Sequence, residues 1–279
     1  MLEADMLTDK DFVRLKEFIY AQCGIRITEA KKTMLQTRLH KRLRNLNMPS
    51  FSKYCDYLFS ERGVEEELVE MINVVTTNKT DFFREPAHFD YLTHHVLPFL
   101  SPRNDSGRTL MVWSAGCSTG EEPYTLAMVL KEFAKEKRGL DFLILATDIS
   151  TKVLERAKLA IYDEKLITPI PEELRKSYLL KSKSADQKVF RIAPELRRHV
   201  AFRRLNFMDE NFGFRETIDI IFCRNVIIYF DKVTQERLLT KFCAHLSPSG
   251  YLFLGHSETL LGMDLPLEQV APTVYRRIA

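Results

Sequence analysis

The sequence lacks the features that mark secreted, membrane-spanning and metal-binding proteins. It has no CxxC pair, and an odd number of cysteines, five in 279 residues, argues against a disulfide framework. No apolar run approaches the roughly 20 residues of a membrane span, and the acidic N-terminal stretch MLEADMLTDKDF has no apolar core like that of a secretory signal. The histidines show no HExxH or Cys/His ligand spacing. We therefore expect a reduced, cytoplasmic protein without membrane insertion and without a metal.

The chain also lacks internal repeats, low-complexity tracts and a strong net charge. Its formal charge is only +3, so any affinity for an acidic partner has to come from local clustering. Hydrophobic residues make up 45% and charged residues 28%, a balance typical of a globular protein rather than a disordered or fibrous one. This length has room for one large domain or two modest ones.

Residues 9–95 have the apolar spacing of helices. The spacing occurs in DFVRLKEFIYAQ, TEAKKTMLQTRLHKRLRNL, FSKYCDYLFS and VEEELVEMINVV. Thr28 and Ser50 are the expected N-caps. The stretch SPRNDSGR (101–108) then has the composition of a linker or turn.

Beyond this stretch the pattern changes to strands that alternate with helices. Apolar runs typical of strands occur in TLMVWSA, DFLILATD, HVAFRRLN, IDIIFCRN, YLFLGH and TVYRRI. Helical patterns between them occur in PYTLAMVLKEFAKE, TKVLERAKLAIY and TQERLLTKFCAHL. This alternation predicts an α/β domain with a mostly parallel sheet covered on both faces. The interval 162–199, with a short hairpin around SYLLKSKSADQKVFRI, is interpreted as a small insertion.

The first strand leads into a glycine turn that is followed by two acids. An apolar run passes through Gly116 and Gly120 to Glu121 and Glu122, in the order of a nucleotide-binding strand, loop and helix. A helix N-terminus favours anions, but the two glutamates would repel a pyrophosphate and attract an ammonium or a sulfonium. S-adenosylmethionine fits, with Glu122 as the candidate partner of its α-ammonium. The alternative is that both glutamates are ordinary first-turn acids.

Two further strand ends carry polar side chains to the same edge of the sheet. Asp148 follows the second strand, where an acid can accept both ribose hydroxyls of an adenosine. Its alternative role is the N-cap of the next helix, which Ser150 could supply instead. The run IDIIFCRN ends in Cys223, Arg224 and Asn225, and Tyr229 follows closely. The strand position of Cys223 favours a packing thiol. The alternatives for the others are a turn at Arg224 and Asn225 and a core aromatic at Tyr229.

A polar loop and a basic helix complete the candidate regions. In TTNKTDFFRE (76–85), the side chains of Asn78 and Thr80 can form hydrogen bonds, and the guanidinium of Arg84 can donate two hydrogen bonds to a carboxylate. A capped loop with an exposed arginine would explain the same residues. Between residues 26 and 53, eight Lys or Arg residues face one acid. This excess exceeds the charge of the whole chain and indicates a surface that docks an acidic partner, although such a face is often only solvated. Nucleic acid fits less well because no aromatic platform is interleaved with the charges.

Five motifs, in order, resemble those of the CheR-type chemotaxis receptor methyltransferases. They are TTNKTDFFRE, WSAGCSTGEEPYTLA, ATDIS, IFCRNVIIYFDK and GYLFLGHSE, which together span residues 76–258. The resemblance implies a class I S-adenosylmethionine-dependent methyltransferase, with a Rossmann-like, mostly parallel sheet. It implies an all-helical N-terminal domain (1–90), a methyltransferase domain (91–279) and a small β-subdomain inserted at about 162–200.

The resemblance also implies an activity and a set of site residues. The expected reaction is methyl transfer from S-adenosylmethionine to glutamate side chains of chemoreceptor helices, which forms methyl esters. The residues expected to contact the cofactor are Asn78, Thr80, Arg84, Glu122, Asp148, Asn206, Phe207, Cys223 and Arg224. Arg84 and Tyr229 would lie nearest the transferred methyl. The basic helix would dock on the acidic methylation region of the receptor through Arg38, Lys41, Arg42 and Arg44.

One departure from the family concerns recruitment. Some members bind a receptor's C-terminal pentapeptide through a glycine-containing loop in the β-subdomain, and the stretch LKSKSADQKVFRI here has no glycine. This puts a C-terminal tether in doubt and favours direct binding to the methylation helices. Two other hypotheses stay open at this point, a class I methyltransferase that acts on RNA and a catalytically idle adenosine-binding module.

Overall fold

The computed structural model describes residues 6–104, 109–137, 140–184 and 186–278. The chain begins with five helices: α1 (Asp9–Cys23), α2 (Lys32–Asn45), α3 (Phe51–Leu58), α4 (Glu61–Glu66) and α5 (Leu68–Val75), with a 3₁₀ turn at Glu29–Lys31 before α2. Their apolar faces form a core of their own that extends from Leu7 to Val75. The predicted helical character of this region is therefore confirmed.

The helix boundaries differ from the predicted ones in two places. Ser50 caps α3 as expected, because its hydroxyl accepts a hydrogen bond from the Lys53 amide. Thr28 begins the 3₁₀ turn without a capping hydrogen bond from its side chain. The predicted single helix VEEELVEMINVV is two helices, which break at Glu67. At this break the Glu67 side chain is buried and accepts from Arg42 and Tyr54.

The next helices already belong to the sheet domain. Helix α6 (Pro86–Tyr91), a π-helical turn (Leu92–Val96) and α7 (Leu97–Asn104) follow one another without a break. Phe89 and Leu100 pack into the core beneath the sheet. The domain boundary predicted at residue 90 therefore lies within α6. Residues 101–104 of the predicted linker end α7, and 105–108 lie outside the described residues.

The remaining elements form the two sheets and their helices. The strands are β1 (Leu110–Ala115), β2 (Phe142–Asp148), β3 (Ile161–Asp163), β4 (Leu179–Lys181), β5 (Val189–Ile192), β6 (Val200–Arg204), β7 (Ile218–Cys223), β8 (Leu246–Leu254), β9 (Leu267–Ala271) and β10 (Val274–Arg277). The helices are α8 (Glu121–Glu136), α9 (Thr151–Leu159), α10 (Glu172–Tyr178), α11 (Pro194–Arg197) and α12 (Lys232–His245).

The large sheet has the strand order β6-β2-β1-β7-β8-β10-β9. Its first five strands are parallel, and β10 is antiparallel to both of its neighbours. The central strand β7 is buried at every residue, as expected for a parallel strand covered on both faces. All six predicted strands are present in this sheet, and the mostly parallel α/β fold is confirmed. Strand β9 was not predicted.

The insertion forms a separate antiparallel sheet with the order β3-β5-β4. The predicted hairpin corresponds to β4 and β5. The helix predicted over TKVLERAKLAIY is too long by three residues, because the chain leaves α9 at Ala160, which has a left-handed φ of 55°. Ile161 and Tyr162 instead pair with β5. Within the described ranges, no helix is both long and apolar enough to cross a membrane.

Candidate functional site

A cavity of about 390 Å³ lies between the carboxyl ends of the sheet strands and the N-terminal helices. One side, here named the sheet wall, is lined by Gly116, Ser118, Glu122, Asp148, Ile149, Leu205, Asn206, Phe207, Arg224, Asn225, Val226, Ile228, Tyr229, Phe230 and Ser257. The other side, here named the N-terminal wall, is lined by Cys23, Ile25, Arg26, Ile27, Lys31, Met34, Val75, Thr76, Thr77, Asn78, Lys79, Thr80 and Arg84. The volume is in the range of small-molecule sites.

The two walls carry opposite charges. Among the described lining residues, the N-terminal wall has four cations, Arg26, Lys31, Lys79 and Arg84, and no carboxylate. The sheet wall has two carboxylates, and its only cation is paired with one of them. The cavity therefore offers a negative surface on one side and a positive surface on the other.

The glycine turn after β1 shapes the sheet wall. Gly116 and Gly120 have φ values of 85° and 100°, which L-residues with side chains rarely adopt. A Cβ at Gly116 would lie 2.5 Å from Val226, and one at Gly120 would lie 2.7 Å from the Tyr162 hydroxyl. The glycines are thus required by the backbone and by packing against protein atoms. Gly116 also lines the cavity.

Glu122, at the start of α8, is the first carboxylate of the sheet wall. It is 8% exposed, and its two oxygens accept hydrogen bonds from the Ser114 hydroxyl at 2.6 Å and from Arg224 Nε at 2.8 Å. Each oxygen keeps a further lone pair for a ligand donor. Glu121 is also buried, but it accepts from the Thr119 hydroxyl and does not line the cavity, and burial raises its pKa.

Asp148, at the end of β2, is the second carboxylate. Its oxygens accept from the backbone amides of Ser118 and Ser150, each at 2.9 Å. Burial raises the pKa of Asp148, and these amide hydrogen bonds oppose the shift. The N-cap of α9 is Ser150, whose hydroxyl accepts from the Val153 amide. The alternative role of Asp148 as that N-cap is therefore excluded.

Arg224 connects the two walls. It is 7% exposed, its Nε donates to Glu122, and its Nη1 donates to the carbonyl of Arg84 at 2.5 Å. Its guanidinium also lies 3.7 Å from Glu85 Oε2 and 3.4 Å from His88 Nδ1. Burial and this neighbouring cation lower the pKa of His88 to about 4. Sequence reasoning missed Glu85 and His88, because only the fold brings them to the end of β7.

The polar loop and Tyr229 lie where the two walls meet. Arg84 donates to the Lys79 carbonyl at 3.2 Å, and the Asn78 carbonyl accepts from the Ser118 hydroxyl at 2.9 Å. The Tyr229 ring is half-buried, and Lys31 Nζ lies 5.6 Å from its centre. The cavity thus brings together Asn78, Thr80, Arg84, Glu122, Asp148, Asn206, Phe207, Arg224 and Tyr229, all of which were predicted as site residues.

Cys223 is the exception among the predicted cofactor contacts. As the last residue of β7 it is fully buried in the core cluster that contains Trp113, and it does not line the cavity. Burial raises the pKa of its thiol well above the usual value. Cys223 therefore packs the sheet, and the polar contact at this strand end comes from Arg224.

The four predicted docking residues of α2 divide into two pairs. Arg38 donates to the carbonyls of Val75 at 2.6 Å and Thr76 at 3.1 Å, and Arg42 forms an ion pair with buried Glu67 at 2.6 Å. Both hold α2 against α5 and the start of the polar loop. Lys41 and Arg44 are exposed, whereas Arg38 and Arg42 are partly buried.

A cluster of Glu85, His88 and His256 has the side-chain spacing of a metal site. Arg224 competes for the same position, because its guanidinium faces both Glu85 and His88 within 3.7 Å. A cation placed there would be repelled by the guanidinium. The cluster is therefore better described as the ion-pair surroundings of Arg224.

The sheet wall fits the predicted cofactor. Glu122 and Asp148 present buried carboxylates, which suit an ammonium and ribose hydroxyls. The side-chain oxygen of Asn225 is buried without a hydrogen-bond partner in the part of the chain that the structure describes. Because a buried acceptor without a donor is unfavourable, this atom also fits a ligand that donates hydrogen bonds.

Comparison with known proteins supports the same cofactor. The model of the CheR methyltransferase all-alpha domain matches residues 10–76, and that of the CheR methyltransferase SAM binding domain matches residues 78–276. The chain is 40% identical to the chemotaxis protein methyltransferase of Borreliella burgdorferi, over 97% of this chain and 95% of the relative. It is 38% identical to that of Escherichia coli, over 99% and 93%. Since the two models cover nearly the whole sequence, the chain belongs to the CheR methyltransferase family.

Proposed function

We propose that this protein is a protein-glutamate O-methyltransferase, which transfers the methyl group of S-adenosylmethionine to glutamate side chains of chemoreceptors. The observation that carries the proposal is the charge division of the cavity. Buried carboxylates on the sheet wall suit a cationic cofactor, and the cations of the N-terminal wall suit an anionic substrate. The names of the relatives, chemotaxis protein methyltransferases, support a receptor as the substrate.

The sheet wall would hold the cofactor. When bound, S-adenosylmethionine supplies a methyl group on a positively charged sulfur, so that the difficult chemistry belongs to the cofactor. Glu122 and Asn225 offer acceptors for its α-ammonium, and Asp148 offers acceptors for the ribose hydroxyls. Arg224 keeps the Glu122 carboxylate in place through the Nε hydrogen bond.

The substrate needs no general base. A glutamate side chain has a reference pKa of about 4.3 and is ionised at neutral pH. Its negative charge is lost as the ester forms, so a strong ion pair in the ground state would slow the reaction. We therefore assign Arg84 and Tyr229 to orienting the carboxylate and excluding water.

The receptor would approach over the N-terminal wall. Arg26 and Lys79 are exposed at the cavity, and Lys41 and Arg44 are exposed on α2. These cations are complementary to the acidic methylation region of a receptor helix, and such complementarity steers association. Direct docking of this kind needs no C-terminal tether.

The reaction is tested by incubating the protein with methyl-labelled S-adenosylmethionine and receptor cytoplasmic fragments. Label on the receptor that is released by mild base is the expected result, because methyl esters hydrolyse in base. Label on RNA, or none on any added substrate, would contradict the proposal and favour the RNA methyltransferase or the idle binding module.

The role of Arg84 is tested by Arg84→Ala. We expect turnover to fall by about 10- to 100-fold, because misplacing a reacting group by about 1 Å has this effect. The exposed arginine of α4 gives a matched control, Arg62→Ala, which should keep wild-type turnover. If Arg84→Ala left both cofactor binding and turnover intact, the assignment would be wrong.

A further inference from the structure

Glu258 is a buried carboxylate that lies outside the cavity wall. It follows β8 in the stretch GHSE (255–258) and is 4% exposed. Its Oε2 accepts from the backbone amides of Gly255 at 2.6 Å and Asn225 at 2.9 Å, and its Oε1 accepts from the Val226 amide at 2.8 Å. One side chain at the end of β8 thus holds the segment that follows β7.

That segment has a conformation that needs support. Asn225 has a φ of +59°, in the left-handed region that residues with a side chain rarely occupy. A Cβ at Gly255 would lie only 2.8 Å from the Asn225 backbone nitrogen, so the two strand ends approach closely because Gly255 has no side chain. The chain then enters the 3₁₀ turn Ile227–Tyr229 and reaches the cavity.

The geometry of the contact calls for a side chain with two oxygen acceptors. Three amide donors converge on two oxygens, and an uncharged amide side chain could offer only one oxygen acceptor. Burial raises the pKa of Glu258, and the amides of Gly255, Asn225, Val226 and Ile228 oppose that shift. A buried charge is costly, so a residue needed only to fill space would be served better by an apolar side chain.

We infer that Glu258 is a positioning residue for methyl transfer. It fixes the segment Asn225–Tyr229, of which Asn225 and Tyr229 line the cavity. This inference rests on the proposed function, since it assigns Tyr229 to the substrate side of the site. Glu258 itself touches neither substrate nor cofactor and acts through the backbone amides.

The test compares Glu258→Gln and Glu258→Asp with wild type. Gln keeps the shape but directs an NH₂ group at an amide donor, so we expect kcat to fall by about 10- to 100-fold. Thermal stability should also fall, because buried amide donors lose their acceptor, but the protein should remain folded. Asp keeps the carboxylate and should restore part of kcat relative to Gln. The matched control is Glu236→Gln, at an exposed position of α12, which should behave as wild type.

Hydrogen exchange gives a readout that does not depend on turnover. Peptides covering residues 224–230 should exchange faster in Glu258→Gln, and peptides from β1 and β2 should not. Unchanged exchange in 224–230, or faster exchange there with wild-type kcat, would overturn the inference. If wild-type protein labels no receptor, the proposed function fails, and the exchange measurement still decides whether Glu258 holds this segment.

Discussion

The two walls of the cavity are built in different ways. On the sheet wall, Glu122 and Asp148 are each less than 10% exposed, and each carboxylate oxygen already accepts one internal hydrogen bond. On the N-terminal wall, Arg26 and Lys79 are exposed, and Lys31 is half-buried. A preorganised wall suits a cofactor that is the same in every turnover. An exposed cationic wall suits the acidic macromolecular substrate proposed above.

The largest expected effect is on the free energy of unfolding, and it comes from breaking the Arg42–Glu67 ion pair that supports the N-terminal wall. Arg42→Ala would leave the Glu67 carboxylate, which is 1% exposed, without its cation. We expect a loss of about 3–5 kcal/mol in the free energy of unfolding, measured with urea. The control Lys41→Ala changes an exposed neighbour and should stay within about 0.5 kcal/mol. Equal effects of the two variants would mean that Arg42 is only a surface charge.

A pH experiment examines the ion pairs behind the sheet wall. The folded-state pKa of His88 is about 4, against 6.5 for an unperturbed histidine. The unfolded chain therefore binds a proton on His88 before the folded chain does. The stability from neutral His88 is fully present above pH 6.5 and is lost as the pH falls towards 4, by about 3 kcal/mol in total.

The variant His88→Gln should remove this contribution to the pH dependence. Urea unfolding between pH 4 and pH 7 measures how the free energy of unfolding changes with pH. The control is His94→Gln, at an exposed position, which should show the same pH dependence as wild type. If the free energy of unfolding of His88→Gln depended on pH as it does in wild type, groups other than His88 would cause the loss of stability in acid.

A smaller effect is expected from changing the charge of the sheet wall. Glu122→Gln should raise the cofactor Kd by about 30-fold, because it weakens the charge-assisted pairing of a buried ammonium by about 2 kcal/mol. Calorimetric titration measures this Kd. Glu121→Gln is the matched control, since this neighbouring acid is buried but does not line the cavity, and its Kd should remain within about threefold of wild type. Similar Kd values for both variants would argue against the assigned role of Glu122.

Local sequence patterns predicted the strand ends and their polar residues well. Asp148 ends the second apolar run and Glu122 follows the first across the glycine turn, and the carboxyl ends of parallel strands meet at one edge of a sheet. For Cys223 the strand pattern favoured a packing role and the family resemblance implied a cofactor contact, and its side chain lies in the core. Strand β9 was missed because its residues are only partly buried and because its sequence, LEQVA, has no regular alternation of apolar and polar side chains.

Contacts between distant parts of the chain could not be predicted from periodicity. Arg224 meets Glu122 across 102 residues, and Glu258 meets Asn225 across 33. The spacing of α2 placed Arg38, Lys41, Arg42 and Arg44 together on its polar surface. It could not show that Arg42 pairs with buried Glu67, which lies 25 residues further along the chain.

The smallest effect is expected at the exposed cations of the N-terminal wall, and it distinguishes the two walls most directly. Arg26→Ala should raise the KM for a receptor fragment about 1.4- to fivefold, since an exposed charge contributes roughly 0.2–1 kcal/mol. The cofactor Kd should stay at its wild-type value, and the difference in KM should shrink as salt is added, because screening acts on exposed charges. Lys137→Ala changes an exposed lysine outside the cavity and should leave KM unchanged. A change in cofactor Kd with no change in KM would reverse the assignment and place the cofactor, rather than the receptor, against the N-terminal wall.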